Sequence, residues 1–146
     1  MNKNVGEVKK IFLSKKNESE RLEQTSIRLD NNGVIGDKFY AKDINRSILL
    51  TSLESYTLVK ENNIKISHGA LGENILIDFN PYYLSTGTRI KIGEVIIEIT
   101  QNCTICNHLS IIDESLPVLL KDDRGIFVKV MELGSIQKGD KVYLLE

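Results

Sequence analysis

The stretch RIKIGEVIIEIT, residues 89–100, decides the fold class. Arg89, Ile90, Lys91 and Ile92 alternate polar and apolar with the period of two that sends successive side chains to opposite faces of a strand. Gly93-Glu94 is a two-residue turn, and Val95 to Thr100 is β-branched at every position but Glu98. Such residues suit a pleated, half-buried surface, so two strands joined as a tight hairpin are expected.

Working outward, the same reading finds a first strand from Val5 to Leu13 and a second from Ser26 to Asp30, closed by Asn31-Asn32-Gly33. Between them the polar segment KKNESERLEQ reads as a loop. Arg46 to Leu50 opens a third strand. Thr51-Ser52-Leu53-Glu54 then fits a capping box, with Thr51 as the cap of a helix of about three turns that ends near Asn62-Asn63. Asn74 to Ile77 is another short strand, and Pro81 marks an irregular stretch. Ser110 to Lys121 has room for a short helix with Pro117 in its first turn. Gly125 to Leu133 and Lys141 to Leu145 are the closing strands, joined across Gly134 and Lys138-Gly139-Asp140. Seven or so strands without regular βαβ alternation predict a mainly β barrel or folded sheet with a few short peripheral helices.

A chain of 146 residues is one ordinary domain, able to bury about two thirds of the surface its unfolded form exposes, and 1–146 reads as one unit without internal repeat. Hydrophobic residues at 41% and charged residues at 27% are ordinary globular values. No apolar run is long enough to span a membrane, and MNKNVGEVKK has no apolar secretory core. A cytoplasmic protein is expected. With 19 basic against 20 acidic residues the net charge is −1, so no global field gathers nucleic acid or an anionic membrane. An anionic ligand would need a local cluster of cations.

Cys103-Thr104-Ile105-Cys106 has the CxxC spacing used by zinc knuckles and by redox pairs. A structural zinc wants four ligands, and this chain offers two cysteines with His108 close by and His68 far away in sequence. The spacing matches no common finger. A thioredoxin-like pair wants a parallel βαβ frame, which the strand pattern does not supply. Buried, inert thiols are the ordinary alternative, although Asn102, Thr104, Asn107 and His108 make the surroundings polar.

Gly69-Ala70-Leu71-Gly72-Glu73-Asn74 reads either as a tight turn or as a place of close backbone approach to a ligand. Gly33 to Lys38 is similar in character. Arg46 and Arg124 each flank a strand, where arginine is either a solvated surface group or a bidentate clamp for an oxyanion. Both histidines default to polar surface.

Taken in order, Gly36-Asp37, Arg46 before an apolar strand, Gly69 through Asn74, Gln101 with Cys106 five residues on, Arg124-Gly125 opening a strand, and Lys138-Gly139-Asp140 resemble the MOSC domain. That family is named for the C-terminal domain of molybdenum cofactor sulfurases. The match spans Gly33 to Leu145, and its order is more specific than any one piece. Three positions depart from the family pattern: Cys103 and Ile105 stand where Arg and Pro are frequent, and Phe39 stands where His often follows the Gly-Asp pair.

The resemblance implies a MOSC-type β-barrel and a molybdenum cofactor (molybdopterin) as ligand. It implies Cys106 as the catalytic thiolate, carrying sulfur as a persulfide or ligating the metal, roles suited to soft sulfur. Lys38, Arg46 and Arg124 are the cations implied for the anionic cofactor, with backbone amides around Gly72, Glu73 and Asn74 assisting and the Asn74 side chain free to donate. The function implied is cofactor binding or sulfur carriage, with a cysteine desulfurase or a molybdoenzyme as partner. The alternatives are a molybdenum-dependent reductase of N-hydroxylated compounds, fed by an electron-donor protein because no flavin or iron–sulfur motif is present, and a non-catalytic module for small anions or protein contacts. The chain is too short for the desulfurase domain of full sulfurases or the extra β-rich region of the reductases, so a stand-alone domain is expected.

Overall fold

In the computed structural model the hairpin forms as its alternation requires, and Gly93 takes the positive φ of 57° that its tight turn demands. The structure describes residues 2–17, 21–103, 109 and 112–145. In chain order the strands are β1 (Lys3–Ser14), β2 (Arg21–Gln24), β3 (Ser26–Asp30), β4 (Gly33–Val34), β5 (Ile48–Ser52), β6 (Ile75–Ile77), β7 (Arg89–Ile92), β8 (Val95–Asn102), β9 (Ile126–Glu132), β10 (Gly134–Gln137) and β11 (Lys141–Leu144). A 3-10 turn at Ile44–Arg46 precedes β5, helix α1 (Leu53–Glu61) follows it, and a one-turn helix α2 (Leu116–Leu119) precedes β9.

Seven strands close into a barrel in the order β1, β11, β7, β8, β9, β5, β6 and back to β1. All these pairs are antiparallel except β5 with β6, which run parallel from Leu50 opposite Ile75 to Ser52 opposite Ile77. Pro117 stands in the first turn of α2, where its missing N–H has no intrahelical partner to lose. Beside the barrel, β10, β3 and β4 make a small antiparallel sheet. Among the described residues no helix is long and apolar enough to cross a membrane.

Alternation explains the interior. Ile90, Ile92, Val95, Ile97 and Ile99 of the hairpin point inward with Ile48, Leu50, Ile75, Ile77 and Val128, all 1% exposed or less. A second apolar layer lies outside the wall, where Tyr56 and Val59 of α1 pack with Leu71, with Leu76 from the outer face of β6, and with Leu116 and Leu120. The helix therefore covers the parallel seam.

Several boundaries differ from the sequence reading. RLEQ is strand β2 rather than loop, because the C-terminal half of β1 runs past β11 and offers Ile11 to Ser14 as an open edge. Arg46 belongs to the 3-10 turn, capped by Asp43 accepting from the Asn45 amide at 3.0 Å, and the strand begins only at Ile48. The helix cap is Ser52, which accepts from the Glu54 amide at 3.1 Å. Thr51 is still in β5, its hydroxyl donating to the Arg124 carbonyl at 3.0 Å. β4 and β10 fall in segments read as turns.

One buried side chain joins three strands. Asn74, 2% exposed, accepts from the Leu49 amide at 3.1 Å while its own amide nitrogen lies 3.4 Å from the Phe12 carbonyl and 3.3 Å from Asp37 Oδ1. Its backbone N–H donates to Leu49 and its carbonyl accepts from Phe12. Asp37 in turn accepts from the Ser14 and Phe39 amides. Replacing Asn74 with Ala leaves a buried Leu49 N–H without its partner, and we expect a loss of about 2–4 kcal/mol in urea unfolding. Ser52→Ala removes only the helix cap and is expected to cost about 1 kcal/mol in the same measurement.

Candidate functional site

Leu49 lies between Ile48 and Leu50, both in the barrel interior, so its side chain faces out of the wall. There it floors a cavity of about 400 Å³. The 3-10 turn supplies Arg46 to the rim, with Lys42, Asp43 and Phe39 from the loop before it; Gly72 and Asn74 contribute from the return into β6, Cys103 from the end of β8, Arg124 and Phe127 from the start of β9, and Arg21 from β2. Four cations and one carboxylate line this space.

Close contacts between strands set the arginines. A side chain at Gly125 would collide with Thr51 and Leu49, and its absence lets Arg124 lie directly over β5. Arg124 is 5% exposed, and its Nε and Nη2 donate to the Leu71 carbonyl at 2.9 and 2.8 Å. Thr100 anchors the 3-10 turn by donating to the Asn45 carbonyl at 2.6 Å. Arg46 then lies over the Phe127 ring at 5.3 Å, a cation–π contact that leaves the guanidinium edge exposed.

The Cys103 thiol is buried and hydrogen-bonded to the Arg124 side chain. Burial pushes its pKa up, while the charges of Arg124 and Arg46 and that hydrogen bond act in the opposite direction. Desolvation lowers the pKa of Arg124 and of Arg21, a sign that both charges are held out of water.

The structure separates the residues singled out in the sequence. Arg46, Gly72, Asn74 and Arg124 line the cavity. Asn74 does so with both amide hydrogens directed at Phe12 and Asp37, and the Gly72 and Asn74 backbone amides donate to Gly69 and Leu49, so these groups are committed to the fold rather than free for a ligand. Lys38 is not among the lining residues; its ammonium lies 5.2 Å from the Phe39 ring centroid. Glu73 is fully buried on the other side of the chain, accepting from Tyr56 at 2.5 Å and from the Gly69 amide at 3.1 Å. Burial raises its pKa against those hydrogen bonds. Cys106 and His108 lie outside the described residues. Among the described residues no cluster of three or more His, Cys, Asp or Glu could hold a metal ion.

Sequence reasoning missed Arg21, Lys42 and Phe127. Arg21 sits in a segment whose polarity reads as loop, and only the pairing of Ser14 with Arg21 turns it toward the cavity. Lys42 carries no periodic or motif signal.

Among curated proteins none matches the chain. Solved structures similar to it include the YuaD protein from Bacillus subtilis, with a TM-score of 0.82 at 15% identity over all of both chains. YiiM from Geobacillus stearothermophilus aligns with a TM-score of 0.74 at 16% identity, over all of this chain and 76% of that one. YiiM from Escherichia coli gives 0.73 at 16% identity, over 96% and 70%. These likenesses bear on the fold, and they agree with the closed seven-stranded barrel. The family profile described as "MOSC domain" matches residues 32–143, most of the chain, and by that match the chain belongs to the MOSC domain family.

Proposed function

We propose that the cavity binds a molybdopterin-type cofactor and that the chain serves as a binding or sulfur-carrying module for it. The observation that carries this reading is the local charge: Arg21, Lys42, Arg46 and Arg124 against Asp43 alone around one cavity, in a chain whose net charge is −1. A family associated with the molybdenum cofactor sets the prior. The phosphate and oxo-metal centre of that cofactor are both anionic, and charge-assisted contacts from arginine suit them.

The residues present fit such a group. A volume of about 400 Å³ is within the range of ordinary small-molecule sites. Arg21 lines the cavity, and one of its guanidinium nitrogens, Nη1, is buried without a hydrogen-bond partner. Phe127 and Phe39, the latter 40% exposed, provide apolar surface for a flat ring. Cys103 brings a soft sulfur ligand to the cavity itself, and the family resemblance assigns the same chemistry to Cys106. When bound, the cofactor supplies two-electron and oxo- or sulfido-transfer chemistry at its metal. The protein's part is to neutralise the anionic groups with arginine and to keep a thiol beside Arg124 in a largely dry setting.

A cytoplasmic location, a single domain over 1–146, and a cysteine desulfurase, molybdoenzyme or electron-donor protein as partner belong to the same proposal. The test is the molybdenum and pterin content of protein purified from a host that makes the cofactor. We expect both in the wild type, and a drop of about tenfold or more in Arg46→Glu, which reverses an exposed charge at the rim. Cys106→Ser is expected to retain less metal than the wild type. Wild-type protein carrying neither molybdenum nor pterin would overturn the reading.

A further inference from the structure

The loop after α1 folds back along the helix and leaves a second cavity, of about 560 Å³, that shares no lining residue with the one floored by Leu49. Asn63 takes a positive φ of 61° and reverses the chain, and the Ile64 amide donates to the Val59 carbonyl at 3.2 Å. One turn nearer the start of the helix, the His68 ring meets the Tyr56 ring edge-on, their centroids 4.7 Å apart. Val59, Ile64 and Ile66 give this space apolar walls, continuous with the layer packed outside the barrel. Tyr56 offers only its ring, because its hydroxyl donates to Glu73 and accepts from the Gly69 and Leu71 amides.

His68 Nδ1 is buried with no hydrogen-bond partner, whereas a folded interior pairs nearly all such atoms. Burial holds the His68 pKa below its ordinary value, with Lys10 adding to the effect and Glu23 opposing it. At neutral pH the ring is therefore uncharged and able to carry its one proton on Nδ1. Lys60 of α1 and Lys65 of the loop line the same space; both are exposed, and neither ammonium forms an ion pair among the described residues. No carboxylate lines the cavity among those residues. Apolar walls, one neutral donor and two exposed cations complement a molecule with an apolar body and a single negative charge. We propose that this cavity binds a small monocarboxylic acid with an apolar chain or ring, its carboxylate accepting from His68 Nδ1 while Lys60 and Lys65 supply the opposite charge. The site stands whether or not the other cavity takes a cofactor.

The test is an NMR titration of the purified protein with hexanoate and with phenylpropionate, each compared with the alcohol of the same skeleton, in low-salt buffer near neutral pH. The methyl signals of Ile64 and Ile66 and the ring signals of His68 report whether a probe enters this cavity. We expect at least one acid to shift them and to bind at least about fivefold more tightly than its alcohol, a preference that the double variant Lys60→Met/Lys65→Met abolishes. His68→Phe keeps a ring against Tyr56 and removes Nδ1, and it is expected to weaken the acid about threefold or more while leaving the alcohol within about twofold. Lys141→Met, which removes an equal charge from β11 outside the lining, is expected to change acid binding less than about twofold. The dispersion of the amide spectrum checks that each variant is folded. Wild-type protein in which neither acid shifts Ile64, Ile66 and His68, an alcohol bound as tightly as its acid, or a folded His68→Phe protein that binds the acid like the wild type overturns the proposal.

Discussion

The fold and the cavity both hang on the amide of Asn74. It accepts from β5, donates toward β1 and toward Asp37, and opens β6, so three strands and the loop at 37 are fixed to one another at a single buried point. In a low-dielectric interior such a network holds only when all its members are satisfied together, because any unpaired member bears its full desolvation cost. That all-or-none character fixes the register of β5 against β6 and, two residues earlier, the placement of Gly72. The cavity floor is thereby as rigid as the barrel wall.

Rigidity of this kind makes a crowded charge arrangement tolerable. Arg21 and Arg124 lie on either side of Gly72, where the charges of Asp37 and Glu73 act on Arg21 against the repulsion from Arg124. Here Arg124 is tied through two nitrogens to the Leu71 carbonyl, and Arg21 is anchored by a strand pair to β1. Of the nearby anions, Asp37 accepts from backbone amides, while Glu73 accepts from Tyr56 and Gly69 at one oxygen and keeps the other, Oε1, buried without a partner. Proteins keep local conflicts of this sort at functional sites and compensate for them in the surrounding structure.

Most of the barrel was legible in the sequence because inward and outward residues alternate on strands four residues long or more. The hairpin at 89–100 shows this best. What alternation could not reveal was pairing that depends on a partner's edge: β2 exists because β1 outruns β11, and with it Arg21 turns from a loop residue into a cavity residue. Arg46 and Arg124 were found through motif order, since charge beside a strand does not by itself tell cavity from surface. Glu73 shows the converse. An acid between two cavity-lining neighbours, Gly72 and Asn74, lies on the other side of the chain and buries its carboxyl against Tyr56.

The single parallel pair in the barrel also has a cause in counting. A ring with an odd number of strands cannot alternate up and down all the way round, so seven strands must carry at least one seam where neighbours run the same way. At that seam a hairpin is impossible, and the chain must travel the length of the barrel outside before re-entering. Residues 53–74 make that journey, as α1 and the loop that ends at Gly72 and Asn74. The excursion is imposed by parity, and the chain re-enters the wall at the residues that floor the cavity.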